Sequence, residues 1–291
     1  RSCKLVFRKI EAKDVTWTMG ITGNTGAMTP HEVTLSNNYY MSIFPVTQSQ
    51  YTKVAGTGNA TGAGAVWFTW EHTMRVAEKL TYLQARHATS AGSKSCYYPN
   101  PPASNSFFGM LRTLVGDSSG SVFDFDFPAE SQWEFACRAG TGSGYYNGTD
   151  SFASSESRNN ANPSGNTVSN WTDAKLPKAT VDQGGTARVG SFAPNPWGLY
   201  DLSGNVWEFC LDQYVSGLAF EQNTVDTPFV EPEGSRTITE MSKVNYVRRG
   251  GGWGAAAYSG GSANRSSLGS GSANSGVGYR LVCPVPYGKK W

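Results

Sequence analysis

The sequence predicts an α+β fold of short strands, few helices and much irregular chain, and three observations carry that prediction. Glycine is abundant, at 34 of 291 residues, and 14 Tyr, 14 Phe and 9 Trp point to a core of rings in place of long amphipathic helices. Alternation with a period of two recurs, but only in brief strings. Helical periodicity is confined to three places. A chain of this length buries a substantial core. Basic and acidic side chains nearly balance, 24 against 22, which removes the long-range attraction that nucleic acid requires. No stretch approaches the roughly 20 apolar residues of a membrane-spanning helix.

In chain order, Val15-Thr-Trp17-Thr-Met19 alternates, and Val33-Thr-Leu35 and Tyr40-Met-Ser-Ile43 read as further strands. A helix is predicted from Thr47, where Thr47 and Gln50 have capping-box spacing and Tyr51 and Val54 supply an apolar edge. The clearest helical signal covers Trp70 to His87, with Val76, Leu80 and Leu83 at i, i+4 and i+7. Ser90 to Gly120 reads as loop, interrupted by Pro99, Pro101 and Pro102. A short helix follows over Glu130 to Ala139, preceded by Pro128 and closed by Gly140, with Trp133, Ala136 and Cys137 on one face. Thr141 to Asn170 is rich in Ser, Asn and Gly and reads as irregular surface chain. In Val206 to Cys210 the residues alternate as a strand demands, which leaves Glu208 either exposed on an edge or buried against a cation such as Arg249 or Arg280.

The residues that carry chemistry are sparse. Cys3, Cys96, Cys137, Cys210 and Cys283 stand tens of residues apart, so none has the close spacing of a zinc site, and Cys137 and Cys210 read as buried thiols. Cys3 sits where the lipid-bearing cysteine of a processed bacterial lipoprotein would be. The histidines are His31, His72 and His87. On one helix, His72 and His87 would stand about 22 Å apart and could not share an ion. Gly56-Thr-Gly58 with Gly62 lacks the Lys-Ser/Thr pair of a phosphate loop, and no nucleophile-elbow string occurs.

The segment Gly254 to Val277 is different. Its 24 residues hold seven Ser, six Gly and five Ala, with no Asp, Glu, Cys or His. It runs between Tyr246-Val-Arg-Arg-Gly-Gly-Gly-Trp253 and Gly278-Tyr-Arg-Leu-Val282. Loops longer than about 12 to 15 residues are commonly functional or act as linkers. Only 14 residues follow this one, too few for a second core, so the expectation is a functional loop.

Several strings together resemble the formylglycine-generating-enzyme family, the sulfatase-modifying branch of the C-type lectin fold. They are His31-Glu-Val-Thr-Leu35, Pro45-Val-Thr47 running to Tyr51, Phe127-Pro-Ala-Glu-Ser-Gln-Trp-Glu-Phe-Ala-Cys-Arg138, Gly198-Leu-Tyr-Asp-Leu-Ser-Gly-Asn-Val-Trp-Glu208, Arg249-Gly-Gly-Gly-Trp253 and Gly278-Tyr-Arg280. The resemblance implies one C-type lectin-like domain over 1–291. In the oxidase members it also implies a copper-binding cysteine pair shortly after the Arg-Gly-Gly string, because soft thiolates select Cu(I). Trp253 to Val282 contains no cysteine, so the expectation is a protein without catalytic residues, metal or cofactor. The alternative is a metal-dependent oxidase of the formylglycine-generating type. Calcium at Asp201 or Asn205, as in some relatives, is a further possibility.

Arg249-Gly-Gly-Gly-Trp253, Ser262-Ala-Asn-Arg265 and Gly278-Tyr-Arg280 also resemble the fixed landmarks of variable proteins diversified by retroelements, which copy template adenines with errors. Randomising both adenines of an Asn codon that ends in a pyrimidine never yields Lys, Glu, Gln, Met or Trp. All five are absent from Gly254 to Val277. Gly260 and Gly261 depart from the Cys-Arg pair of the pattern. The resemblance implies a variable ligand-binding region at about 250–282. Its candidate contacts are fixed Trp253 with Gly254, Ala255, Ala256, Tyr258, Ser259, Ser266, Ser267, Leu268, Ser270, Ser272 and Asn274. The expected partner is a macromolecular or cell-surface ligand. The expected address is the bacterial cell surface, as an outer-membrane lipoprotein that touches the membrane only through an N-terminal lipid.

Overall fold

Short elements with strong local signals assemble through pairings between distant parts of the chain. The computed structural model describes residues 4–23, 27, 29–56, 74–87, 100–116, 123–148, 186, 188–214, 244–253, 255 and 257–284. Expectations for Cys3, His72, Cys96, Gly254, Ala256 and the stretch 149–170 lie outside the described residues.

Three sheets are present among the described residues. β1 (Phe7–Ile10), β4 (Tyr39–Ser42) and β9 (Val282–Pro284) form an antiparallel sheet in the order β1-β4-β9. β2 (Val15–Met19) and β3 (His31–Leu35) pair antiparallel, with Trp17 opposite Val33. β5 (Trp207–Gln213), β6 (Asn245–Arg249), β7 (Arg265–Gly269) and β8 (Val277–Gly278) form a sheet in the order β7-β6-β5-β8, in which only β5 and β8 run parallel. β5 is thus a central strand. All seven of its residues are buried, so both of its faces meet core.

The helices begin where side chains satisfy free backbone donors. α1 (Gln48–Ala55) opens on Thr47, whose Oγ1 accepts from the Gln50 N–H at 3.2 Å while the Thr47 N–H donates to Gln50 Oε1 at 2.9 Å. α2 (Tyr82–Arg86) repeats the device with Thr81 and Gln84. α3 (Phe107–Val115) is capped by Ser106. α4 (Glu130–Arg138) ends on Ala139 in the left-handed region (φ 48°), followed by Gly140 at φ 88°.

Two sequence expectations are corrected here. Of the helix expected over Trp70 to His87, residues 74–87 are described, and among them only α2 is helical. Val76 instead bridges Thr47, and Lys79 has φ 59°. Arg75, Val76, Ala77, Glu78 and Leu80 are all buried, so this stretch has no wet side for an amphipathic helix to present. The second correction is α3, which lies within the stretch expected to be loop. Its Ser106 cap and the Phe107, Phe108 and Leu111 cluster outweigh the prolines upstream.

Two apolar clusters flank the four-stranded sheet. On one side Tyr82, Phe107, Phe108, Phe127, Trp207, Phe209, Tyr246 and Tyr279 pack together, with Tyr82 stacked on Tyr246 at 3.6 Å between ring centroids. On the other, Trp133, Ala136, Cys137, Cys210 and Val247 pack with Val33, Leu35 and Met41. Burying rings at this density is worth about 1.5–3 kcal/mol for each large side chain.

Candidate functional site

The landmarks that flank the Gly/Ser-rich segment are bolts of the frame. Glu208 on β5 is fully buried and accepts from Arg280 Nε at 2.6 Å and Nη2 at 2.8 Å, and from Trp133 Nε1 at 2.6 Å. Of the two sequence readings of Glu208, burial against an arginine holds, and the arginine is Arg280. Arg280 Nη1 also donates to the Ser42 carbonyl at 3.0 Å, which ties the four-stranded sheet to β4. Arg249 is fully buried and pairs with Glu134 of α4, with Glu130 3.5 Å away. Burial opposes its charge, but Glu134 and Glu130 hold the guanidinium above its ordinary pKa. Arg265 clasps Glu130 with two bonds, at 2.9 and 2.6 Å. Three arginines, two flanking the segment and Arg265 within it, thus bind carboxylates far away in sequence. Removing one partner of such a pair costs about 3–5 kcal/mol.

The glycines after Arg249 are required by close approach. A Cβ on Gly252 would stand 2.6 Å from the Gly276 carbonyl oxygen and 2.9 Å from Trp207 Cδ1. Gly250 has φ 91°, and its Cβ would meet the Leu202 carbonyl oxygen at 3.0 Å. This seating fixes Trp253, whose N–H donates to the Asn205 carbonyl at 2.9 Å and whose Nε1 donates to the Ser275 carbonyl at 3.0 Å.

The segment itself is built chain, which corrects the expectation of a long loop. Ala257–Gly260 form a 3-10 turn, Arg265–Gly269 are the outer strand β7, and Val277 enters β8. The expected contacts consequently part ways. Ser266 and Leu268 lie opposite Arg248 and Tyr246 and share their face of the sheet. Ser267 lies opposite Val247 and points to the other face. Ala255 and Trp253 are half-buried, and Ser272 and Asn274 are exposed. The Asn274 Oδ1 turns back to accept from the Gly276 N–H at 2.8 Å, so it holds a turn. Tyr258 has its backbone in the 3-10 turn. Two of the expected contacts are buried: Ser259 is 7% exposed and Ser270 0%. The Ser270 carbonyl accepts from Leu83 and its N–H donates to Val244, which holds it inside the frame.

Sequence reasoning missed two residues on this face. Arg248 lies 4.7 Å above the Trp207 ring, and its Nε and Nη2 both reach Ser266 Oγ at 3.3 Å. The available signal was strand alternation: Arg248 and Arg249 are adjacent on one strand and must face opposite ways.

Among the described residues, no two cysteines form a pair. Cys137, Cys210 and Cys283 are free and buried. Burial pushes the Cys137 thiol up to about 12, the Cys283 thiol to about 11 and the Cys210 thiol well above its ordinary value, so none offers a thiolate near neutral pH. The copper of the oxidase relatives needs two thiolates after the Arg-Gly-Gly string, and residues 253–282 contain no cysteine, so the residues do not fit that metal. Asp201 is buried, with φ 59°, and its Oδ2 accepts from the Gly190 N–H at 2.8 Å. Burial pushes its pKa up to about 6. It acts as a turn acceptor, and among the described residues no group of three or more His, Cys, Asp or Glu is placed to hold a metal ion.

Sheet order, buried arginine bolts and a Gly-Asn-Val-Trp-Glu string leading into the central strand define a family. The model of the sulfatase-modifying factor enzyme 1-like domain matches residues 13–285, and the chain belongs to that family. Among solved structures, the chain is similar to Treponema denticola variable protein 1, with a TM-score of 0.66 and 24% identity, over 98% of this chain and 96% of that one. It is also similar to PvdO from Pseudomonas aeruginosa, with a TM-score of 0.63 and 16% identity, over 96% and 94%. The fold is therefore α+β and C-type lectin-like, of the formylglycine-generating-enzyme type. Among curated proteins, the formylglycine-generating enzyme of Thermomonospora curvata is 32% identical over 117 residues, which are 38% of this chain and 34% of that enzyme. That of Mus musculus is 33% identical over 88 residues, 29% of this chain and 21% of the enzyme. The chain thus matches about a third or less of the length of these relatives.

Proposed function

We propose that this chain is a non-enzymatic ligand-binding protein, displayed on a bacterial cell surface and diversified by a retroelement within about 250–282. One observation carries the reading. The landmarks Arg249, Arg265 and Arg280 are locked into buried ion pairs, while Ser266 and Ser272 between them make no such contribution to the frame. Side chains can then be exchanged on the face while the bolts stay in place. Tyr in such a face supplies contact area at low entropic cost, and Ser and Gly supply adaptable hydrogen bonding. The small residues of this chain make a shallow surface, which reaches a standard contact of about 800 Å² per partner only against a protruding element.

Sequencing the DNA beside the gene tests diversification. The expected result is a near-copy of the stretch coding for Gly254 to Arg280, differing at adenines, next to a reverse transcriptase gene. Flanking DNA with neither feature would remove the retroelement from the account. Palmitate labelling of the full-length lipoprotein precursor in cells tests the anchor: labelling lost in Cys3→Ser supports it, and labelling retained or never seen opposes it.

The family membership and the curated relatives favour one other reading, a metal-dependent oxidase. Copper and iron analysis of purified protein together with a cysteine-peptide oxidation assay separates the two. The binding reading expects neither stoichiometric metal nor oxidation.

A further inference from the structure

The proposed binding face carries a cation, Arg248, that no carboxylate among the described residues pairs. No Asp or Glu follows Glu240, so each arginine beyond that point must find its carboxylate elsewhere in the fold or in a partner. Arg249 takes Glu134, Arg265 takes Glu130 and Arg280 takes Glu208. Arg248 is the exception: among the described residues it has no carboxylate partner. A charged cavity elsewhere in the fold gives a direct contrast. A cavity of about 340 Å³ beside α4 is lined by Arg86, Arg112, Asp124 and Asp126, and there the arginines and aspartates neutralise one another at 3.0–3.5 Å.

The Arg248 guanidinium is held ready. Its backbone is fixed between Phe209 of β5 and Ser266 of β7, the Trp207 ring covers one side of it, and Ser266 Oγ restrains Nε and Nη2. Much of the rotamer entropy that ordering an arginine costs is therefore already spent before a ligand arrives. It is half-buried, and burial lowers its pKa, with no anion among the described residues to offset the effect. The surroundings are small: Ser266 beside it, and Gly252 against the edge of Trp207. Small walls admit a protruding group and cannot themselves reach out to a flat one.

We propose that Arg248 is the fixed anion-reading contact of this face, and that the partner is a protein that inserts an Asp or Glu carboxylate between Arg248 and the Ser266 position. This rests on the binding-face reading above. A planar carboxylate matches the guanidinium fork. A single unpaired charge suits one carboxylate better than a phosphate, which usually gathers several donors. Because Ser266 contacts the same guanidinium, the residue at 266 sets how much of the fork is free, which couples an exchangeable position to a fixed one.

The probe is a blocked peptide, acetyl-Gly-Glu-Glu-Glu-Gly-amide, with its Gln counterpart and free N-acetylneuraminic acid as comparisons. Binding is read by indole fluorescence and by the arginine Nε–H resonances of the intact chain. The glutamyl peptide is expected to bind saturably, shift the Arg248 resonance and bind at least tenfold tighter than the glutaminyl peptide. Arg248→Gln is expected to lose that tenfold, Arg248→Lys to lose part of it, and Lys9→Gln, which removes an exposed charge elsewhere, to lose none. Thermal unfolding of each variant confirms that it is folded. Equal binding of both peptides, no saturable binding, or equal losses in Arg248→Gln and Lys9→Gln would overturn the proposal. Tighter binding of the sugar acid at Arg248 would overturn the protein partner. Ser266→Tyr separates the two levels. If it blocks the peptide while Arg248→Gln does not, the face stands and the anchor falls; if neither variant matters, both fall.

Discussion

Arg248 and Arg249 are consecutive on β6, yet they face opposite sides of the sheet and meet opposite fates. Arg249 points into the cluster around Trp133, where two glutamates of α4 hold it. Arg248 points toward Trp207 and Ser266, where no carboxylate among the described residues meets it. One strand thus belongs to a frame on one side and, on the other, to the face proposed here as a contact surface. The lesson is that specificity of fold and freedom of surface need not occupy separate segments. The same short strand provides both, because its side chains alternate.

The largest way to break the comparison is to strike the frame. Glu208→Gln leaves Arg280 buried without its carboxylate, and urea unfolding is expected to show a loss of about 3–5 kcal/mol. A smaller loss follows from filling a close approach. Gly252→Ala drives a methyl group against the Gly276 carbonyl and is expected to cost about 1–3 kcal/mol in the same assay.

Proton linkage sharpens the picture at intermediate scale. Burial pushes Glu78 up to about 7, against the pull of Thr186 and Arg75. Between the ordinary carboxylate pKa and about 7 the folded chain keeps a proton that the unfolded chain has released, so stability falls as pH rises through that window. Unfolding followed across it should lose this slope in Glu78→Gln. His87 works in the opposite sense. Burial, with Arg86 beside it, pushes it down to about 4, so it contributes loss of stability as pH falls from about 6.5 to 4.

The smallest effects are expected on the face. Ser272→Tyr is exposed and should change stability by no more than about 0.5 kcal/mol by urea unfolding. Asn274→Ala should cost slightly more than that, because it removes the acceptor of the Gly276 N–H.

How much of this was legible depends on the range of the signal. The α1 cap, β2 and α4 were readable because each is written in neighbouring residues: Thr47 with Gln50, alternation from Val15, and Pro128 to Gly140. Thr81 with Gln84 is an equally local signal. The sequence reading rests instead on apolar spacing among Val76, Leu80 and Leu83, of which Val76 and Leu80 are buried because surrounding chain covers them and not because they form one helical stripe. The order β7-β6-β5-β8 lies beyond local pattern, since it joins strands across long separations. For the proposed face, the landmarks Arg249, Arg265 and Arg280 were readable as fixed positions, and the structure buries each in an ion pair. They did not reveal that Ser259 and Ser270 turn inward, or that Ser267 takes the other side, because register is set by pairing with β6.

The most direct measurement of the central claim is the thermal unfolding of a chain carrying Ala255→Tyr, Ser266→Tyr and Ser272→Tyr together. An exchangeable face on a rigid frame predicts a single cooperative transition within a few degrees of the parent, since about 1 kcal/mol shifts a domain of this size by roughly 2–4 °C. Loss of cooperativity, or a fall of more than about 10 °C on the same scale, would show that these positions belong to the frame and would contradict the account.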